Sequence, residues 1–344
     1  MGLELFLSVV VLLLVAFLTG VVRRQALSRG VLDVPNERSS HGKATPRGGG
    51  AAIVLVVSAA ILLASRGSLD QRLALALLAG GIPVALVGFM DDRQSVPAHF
   101  RIIVHLAAAV WAVACLGGLP PLLIGTHLTH LGWAGDFLAV LGIVWTLNLF
   151  NFMDGIDGIA ASEAAFVAVV GSVLCLPKGG SPGVVSVGFL LGAGCAGFLL
   201  WNWPPARIFM GDVGSGYLGY AIAVCALAAA RDNSAAVWVW LILGGAFFVD
   251  ATVTLVRRLS RGERVYEAHR SHAYQWLSRR WGSHRRVTLA VLLVDVLWLL
   301  PCAVFASLHP PLAAVTALIA LAPLIALAIV AGAGRPEQPD RPIS

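Results

Sequence analysis

Eleven apolar stretches, each near the length that crosses a bilayer, leave this chain little freedom to fold as a water-soluble globule. They run at about 3–22, 48–65, 73–90, 102–119, 133–150, 158–176, 183–201, 213–230, 236–256, 287–307 and 312–333, and a bilayer core takes about 17–25 helical residues. Of 344 residues, 58% are hydrophobic and only 12% charged, with a mean hydropathy of +0.84. That balance cannot clothe a soluble protein of this size. Backbone polar groups in lipid must be satisfied within the chain, which favours helices here. The sequence therefore predicts an all-α integral membrane protein of about 11 transmembrane helices. Residues 1–333 form one polytopic domain, and 334–344 (GRPEQPDRPIS) a disordered cytoplasmic tail.

Orientation follows from the 24 Lys and Arg. If the first stretch enters from outside, all but Arg66, Arg72, Lys178 and Arg231 fall in 23–47, 91–101, 151–157, 202–212, 257–286 and the C-terminal tail. The positive-inside rule then places the N-terminus in the periplasm and the C-terminus in the cytoplasm. The net charge of +6 is spread over these loops instead of one soluble face, which argues against nucleic acid and for lipid headgroups and phosphorylated substrates. The first stretch ends at Arg23-Arg24 without a small-residue cleavage site, so it reads as an anchor. The five cysteines lack CxxC spacing, so neither a disulfide framework nor a zinc site follows. Segment 120–132 is too interrupted to span and reads as a short hairpin.

Aspartates mark the inside ends of the apolar stretches: Asp91-Asp92, Asp154 with Asp157, Asp212, and Asp250. A charge at helix centre costs about 2.5–3.5 kcal/mol on insertion scales, so several on one side imply a shared cation or substrate site. The loop 32–50 is rich in Pro, Gly, Ser and Asn, suited either to binding an anion with exposed N–H groups or to topology alone. Asp91 and Asp92 are adjacent, so they serve one site only where the helix ends; otherwise they are solvated charges. Asn148, Asn151, Asp154 and Asp157 recur at three-residue steps and share one face if the backbone is helical. The glycines beside the two aspartates admit a ligand close to the backbone. Asp212 reads as an N-cap or as a magnesium ligand.

The last inside loop carries nine arginines and the element Glu267-Ala-His269-Arg-Ser-His272. Histidines beside Arg270 suit a cationic phosphate site, whereas no third soft ligand supports zinc. Asp250 either completes the acidic site from behind or pairs with an arginine of its loop, and Asp295 reads as a packing or interhelix residue.

Together the segments DVPNERSSH (33–41), PRGGG (46–50), GFMDD (88–92), NLFNFMDGIDG (148–158), NWPPARIFMGDVGS (202–215) and HRSH (269–272) resemble the polyprenyl-phosphate N-acetylhexosamine-1-phosphate transferases. These are multi-pass enzymes of the bacterial inner membrane. The resemblance implies transfer of a sugar 1-phosphate from a UDP-N-acetylhexosamine to undecaprenyl phosphate with release of UMP. It implies catalytic roles for Asp91, Asp92 and Asp212, with Mg²⁺ (or Mn²⁺) held by Asp212 and Asp92. Asn148, Asn151, Asp154, Asp157 and Asn202 would line the nucleotide-sugar pocket and Phe209 stack on uracil. Arg47, His269, Arg270 and His272 would hold phosphates. A homodimer is also in keeping with it. The branch that transfers phospho-MurNAc-pentapeptide, which is the alternative, typically has a lysine three residues after the Asp pair and consecutive histidines in the last loop. Here stand Ser95 and HRSH, more like the branch that starts O-antigen and related lipopolysaccharide glycans. A secondary transporter would carry its carboxylates near the midplane with internal repeats. A CDP-alcohol phosphotransferase would need Ala-Arg after Asp157-Gly158, where the chain reads Ile-Ala.

Overall fold

In the computed structural model, residues 2–34, 44–67, 69–176, 181–263 and 269–336 are described. Most of the DVPNERSSH segment (35–41), Glu267 and the tail beyond 336 lie outside them. Each of the eleven apolar stretches is helical. Among the described residues eight helices are long and apolar enough to cross a membrane, or nine if one bent pair counts as a single span. Two more, α2 (Gly50–Ala64) and α7 (Ile159–Cys175), are apolar but shorter. The predicted single span at 236–256 breaks at Gly244 into α10 (Ala236–Leu243) and α11 (Gly245–Leu259), bent by 75°. The span predicted at 73–90 runs from Gln71 to Asp91 through a π turn at Ala76–Gly80, and its last part is α4 (Gly81–Asp91). Segment 120–132 is the expected hairpin: β3 (Leu122–Ile124) pairs antiparallel with β4 (His127–Thr129).

The centre of the bundle is α9 (Asp212–Asp232), whose apolar window is 89% buried within the protein. Around it stand α2, α4, α6 (Gly132–Met153) and α7. A helix hydrophobic all round belongs inside, and small residues let its neighbours approach closely, as in membrane bundles generally. A Cβ on Gly214 would sit 2.7 Å from the Cα of Gly50 on α2, and one on Gly88 would sit 2.5 Å from the carbonyl oxygen of Asp212. These contacts set α2 and α4 directly against the first turn of α9.

Short backbone bonds join the PRGGG segment to the loop before α9. Phe209 N–H donates to the Pro46 carbonyl at 2.8 Å, while Gly49 and Gly50 N–H donate to the Phe209 and Met210 carbonyls at 2.9 Å each. Gly50 must lack a side chain because its backbone lies on that of Gly214.

At the same end of the bundle lie α5 (Ala98–Leu116) and the short helix α12 (Ala273–Trp281), which leads into α13 (His284–Val294). A π turn at Asp295–Leu299 joins α13 to α14 (Leu300–Leu308). Asp295 in that turn is fully buried and faces the equally buried Glu163 of α7, in keeping with an interhelix role.

If the α2–α9 crossing depends on bare backbone, Gly214→Val will abolish the folded peak in detergent size-exclusion chromatography. Gly142→Ala, where an added Cβ meets nothing within 4 Å, will elute and melt as the parent does.

Candidate active site

Asp91 and Asp92 point to different partners because α4 ends between them. Asp92, at the C-cap, turns its carboxylate to the start of α9: Oδ1 accepts from Asp212 N–H at 2.8 Å and Oδ2 from Val213 N–H at 3.2 Å. This neutralises two of the N–H groups that a helix start leaves unpaired and favours negative charge at the positive end of the helix dipole. Asp212 is therefore not the N-cap; its backbone is capped by Asp92 from another helix. Gly211, with φ +77°, is required there, since a side chain would strike the Asp92 carboxylate. Asp91 instead accepts from Val96 N–H at 2.7 Å and from Arg101 Nη1 at 2.5 Å, so it folds the following loop and positions Arg101.

Two guanidiniums bridge the aspartates. Arg47 sets Nε 2.8 Å from Asp92 Oδ1 and Nη2 2.6 Å from Asp212 Oδ1. Arg101 lies 3.6 Å from Asp212 Oδ2. Burial works against the charge on Arg47, but Asp212 and Asp92 outweigh it and hold its pKa above the ordinary value. Burial raises Asp92 to about 6, with Arg47 opposing and Asp212 adding. Asp154, at the C-cap of α6, is pushed well above the carboxylate range by burial, with Arg47 opposing and Asp212 and Asp92 adding. Asp91, Asp92 and Asp212 thus share two arginines, three acids to two guanidiniums with Asp154 close by, a crowding that a bound cation would relieve.

A cavity of about 680 Å³ opens beside this cluster. Arg101, Asn148, Asn151, Asp212, His269 and His272 are among its polar lining. Asn151 Nδ2 donates to Ser215 Oγ at 3.3 Å, tying α6 to α9 beside Asp212. His269 stacks on His272 with ring centroids 5.0 Å apart. Burial, with His272 and Arg258 adding, lowers His269 to about 3, so at pH 7 it offers a neutral ring, where the sequence suggested a cation.

Several predicted site residues do other work. The idea that Asn148, Asn151, Asp154 and Asp157 share one helical face fails because α6 ends at Met153; only the two asparagines line the cavity. Asp157 Oδ2 accepts from Ala206 N–H at 2.9 Å, and Oδ1 lies 3.1 Å from His284 Nδ1. Asn202, buried, accepts from Gly158 N–H at 3.0 Å and donates to the Ile208 carbonyl at 2.9 Å. Both hold the loop before α9 in place. Gly155 lines the cavity, and a side chain there would strike the Tyr274 hydroxyl. Phe209 and Arg270 are half-buried and do not line the cavity.

Among the described residues Asp250 neither completes the acidic site nor pairs with an arginine. Its Oδ1 and Oδ2 accept from Ala273 and Tyr274 N–H at 2.8 and 3.0 Å, capping α12 and seating His272, whose Nδ1 is 3.4 Å away. Sequence reasoning missed Arg101, His105 and Tyr274. Arg101 carries the one available signal, an arginine ten residues beyond Asp91 at the start of an apolar stretch.

Fold and site define a multi-pass membrane protein with an acidic, arginine-bridged cavity at one end of its bundle. A family model described as Glycosyl transferase family 4 matches residues 74–230. The chain is 31% identical over 307 residues to a probable undecaprenyl-phosphate N-acetylglucosaminyl 1-phosphate transferase of Bacillus subtilis (strain 168), covering 87% of this chain and 84% of the relative. It is 32% identical over 320 residues to the decaprenyl-phosphate N-acetylglucosaminephosphotransferase of Mycobacterium tuberculosis (strain ATCC 25618 / H37Rv), covering 80% and 76%. To the phospho-N-acetylmuramoyl-pentapeptide-transferase of Moorella thermoacetica (strain ATCC 39073 / JCM 9320) it is 32% identical over 205 residues, covering 55% and 63%. The chain belongs to the polyprenyl-phosphate N-acetylhexosamine-1-phosphate transferase family.

If Asp250 acts by capping, Asp250→Ala will destabilise the protein by about 1–3 kcal/mol, the cost of leaving buried N–H groups unpaired. A thermal melt in detergent reads this, and Asp250→Asn, which keeps one acceptor, will fall between.

Proposed function

We propose that the protein transfers N-acetylhexosamine 1-phosphate from a UDP-sugar to undecaprenyl phosphate, releasing UMP, at the cytoplasmic face of the bacterial inner membrane. The observation that carries this reading is the placement of Asp212 on a cavity wall shared with Arg101, Asn151, His269 and His272. It joins an acidic cluster to groups that bind phosphate, in a chain whose relatives are named for this transfer. The two N-acetylglucosamine relatives cover more of the chain than the muramoyl-pentapeptide relative does. That favours a simple N-acetylhexosamine donor and the start of a lipid-linked surface glycan, O-antigen or a related polysaccharide.

A magnesium ion suits the donor set. Among the described residues no group of three or more His, Cys, Asp and Glu forms a ready-made cage. Mg²⁺ does not ask for one, since it takes one or two carboxylates and fills its other positions with water and substrate phosphates. Asp212 would be its principal ligand, and Asp92 would join only by exchanging Arg47. When bound, the ion would neutralise charge on the donor phosphates.

An acceptor phosphate monoester has its second pKa near 6, so at pH 7 it is already mostly dianionic and needs no obligatory general base. One of its oxygens bonds to the sugar-bearing phosphorus. The bond from that phosphorus to the bridging oxygen breaks, and UMP leaves with the electron pair. The protein's task is to bring two anions together and offset their repulsion, as in other phosphoryl transfers. Arg47 and Arg101 supply fixed positive charge, and neutral His269 supplies a hydrogen bond. Arg270, next to His269 in this loop, does not line the cavity and is given no role towards the donor sugar.

The test is UMP release by purified protein with undecaprenyl phosphate and Mg²⁺ against a panel of UDP-N-acetylhexosamines, their 6-deoxy forms and UDP-MurNAc-pentapeptide. Release that needs the lipid, the metal and one N-acetylhexosamine donor is expected; release with the pentapeptide donor alone, or none from folded protein, would overturn the reading. Within that assay Asp212→Asn should cost on the order of 10²-fold or more in kcat, as removal of one charge-stabilising group does, and Asp91→Asn less. The reverse order would refute the assignment of Asp212.

A further inference from the structure

Beyond the acidic cluster the cavity continues inward along α5, and its inner wall is largely apolar. Val84, Val87, Ile102, Leu147 and Gly216 line it there. His105 lies one helical turn past Arg101, about 6 Å further along the helix axis, and Asn148 is its polar companion. Asn148 spends its amide N–H on the Val144 carbonyl of its own helix at 2.7 Å.

His105 is only 9% exposed, and its Nδ1 is sealed without a hydrogen-bond partner. No hydrogen bond is made by its other ring nitrogen either, among the described residues. A buried N–H left without an acceptor is rarer in proteins than an unpaired acceptor, so the proton belongs on Nε2, the nitrogen not sealed off. The ring then presents a donor to the cavity with nothing in the protein to receive it. The sealed Nδ1 is a buried acceptor without a partner, which costs the fold stability, and a group retained against that cost points to function.

The occupant must suit both a hydrogen-bond donor and an apolar sleeve within the membrane. A UDP-sugar is polar throughout and suits the mouth of the cavity. The polyprenyl phosphate joins a phosphate directly to an isoprenoid chain, and only it matches the change from Arg101 to His105 to the apolar wall. We infer that His105 donates from Nε2 to the phosphate of the polyprenyl acceptor, as a substrate-positioning residue for the lipid. This rests on the transferase reading above and adds which substrate the inner end of the cavity receives.

The test compares the parent with His105→Leu and His105→Gln, the latter keeping a donor. Melting in detergent without substrate should be unchanged or raised for His105→Leu, since an unpaired polar group is removed. Its KM for undecaprenyl phosphate should rise about 10- to 100-fold, the worth of a hydrogen bond to a charged group. The KM for the donor should stay within about twofold, and His105→Gln should recover most of the acceptor KM. Direct binding of undecaprenyl phosphate, by native mass spectrometry without donor, should weaken in parallel. An unchanged acceptor KM in His105→Leu, or a rise confined to the donor KM, would overturn the inference and leave the transferase reading standing. A parent that binds undecaprenyl phosphate through His105 but turns over no donor would do the opposite. A parent that binds no polyprenyl phosphate would overturn both.

Discussion

The start of α9 is where the fold and the site become one problem. A helix that begins inside a bundle presents unpaired N–H groups that must find acceptors, and here two of them find Asp92, carried in from α4. The carboxylate is tolerated at depth because it meets N–H groups, a helix dipole and Arg47 together. Once Asp92 is committed, its neighbours are constrained as well. Gly211 must lack a side chain, Gly88 must let α4 touch the Asp212 backbone, and Gly50 and Gly214 must let α2 close over the top. Arg47 is delivered by the same segment whose backbone is bonded to the loop before α9.

From that arrangement follows a division of labour among acids that look alike in the sequence. Asp92, Asp157 and Asp250 spend their oxygens on backbone N–H groups and hold, respectively, a helix start, a loop and the helix that seats His272. Asp91 spends its oxygens on a backbone N–H and on Arg101. Asp212 lines the cavity, and the arginine side chains that pair with it can be exchanged for a cation or outcompeted by phosphate. Rigid first-turn geometry with a replaceable ion pair at its tip is what a site must have if it is to gather anions without collapsing between turnovers.

Much of this was legible from residues alone. Apolar length foretold the helices, and the aspartates at the ends of the apolar stretches foretold the acidic cluster that lies beside the cavity. The hairpin at 120–132 followed from interrupted hydrophobicity. What the sequence could not disclose was direction. The three-residue spacing of Asn148 to Asp157 implied a single face only if the helix persisted, and it stops at Met153. Asp250 sits seven residues before an arginine in sequence, yet its partners are the N–H groups of a helix 23 residues later. The break at Gly244 left no mark in hydropathy, because both halves remain apolar. Arg101 and His105 read as ordinary residues of a span until α4, α6 and α9 close around them.

If Asp212, on the cavity wall amid crowded carboxylates, is the centre of the site, cation affinity should depend on it before any substrate is present. Mn²⁺ binding followed by electron paramagnetic resonance, on the parent, Asp212→Asn and Asp91→Asn in the same detergent, measures this without reference to turnover. The account predicts at least a tenfold weaker affinity for Asp212→Asn and a much smaller change for Asp91→Asn. Parent-like affinity in a folded Asp212→Asn protein would contradict it.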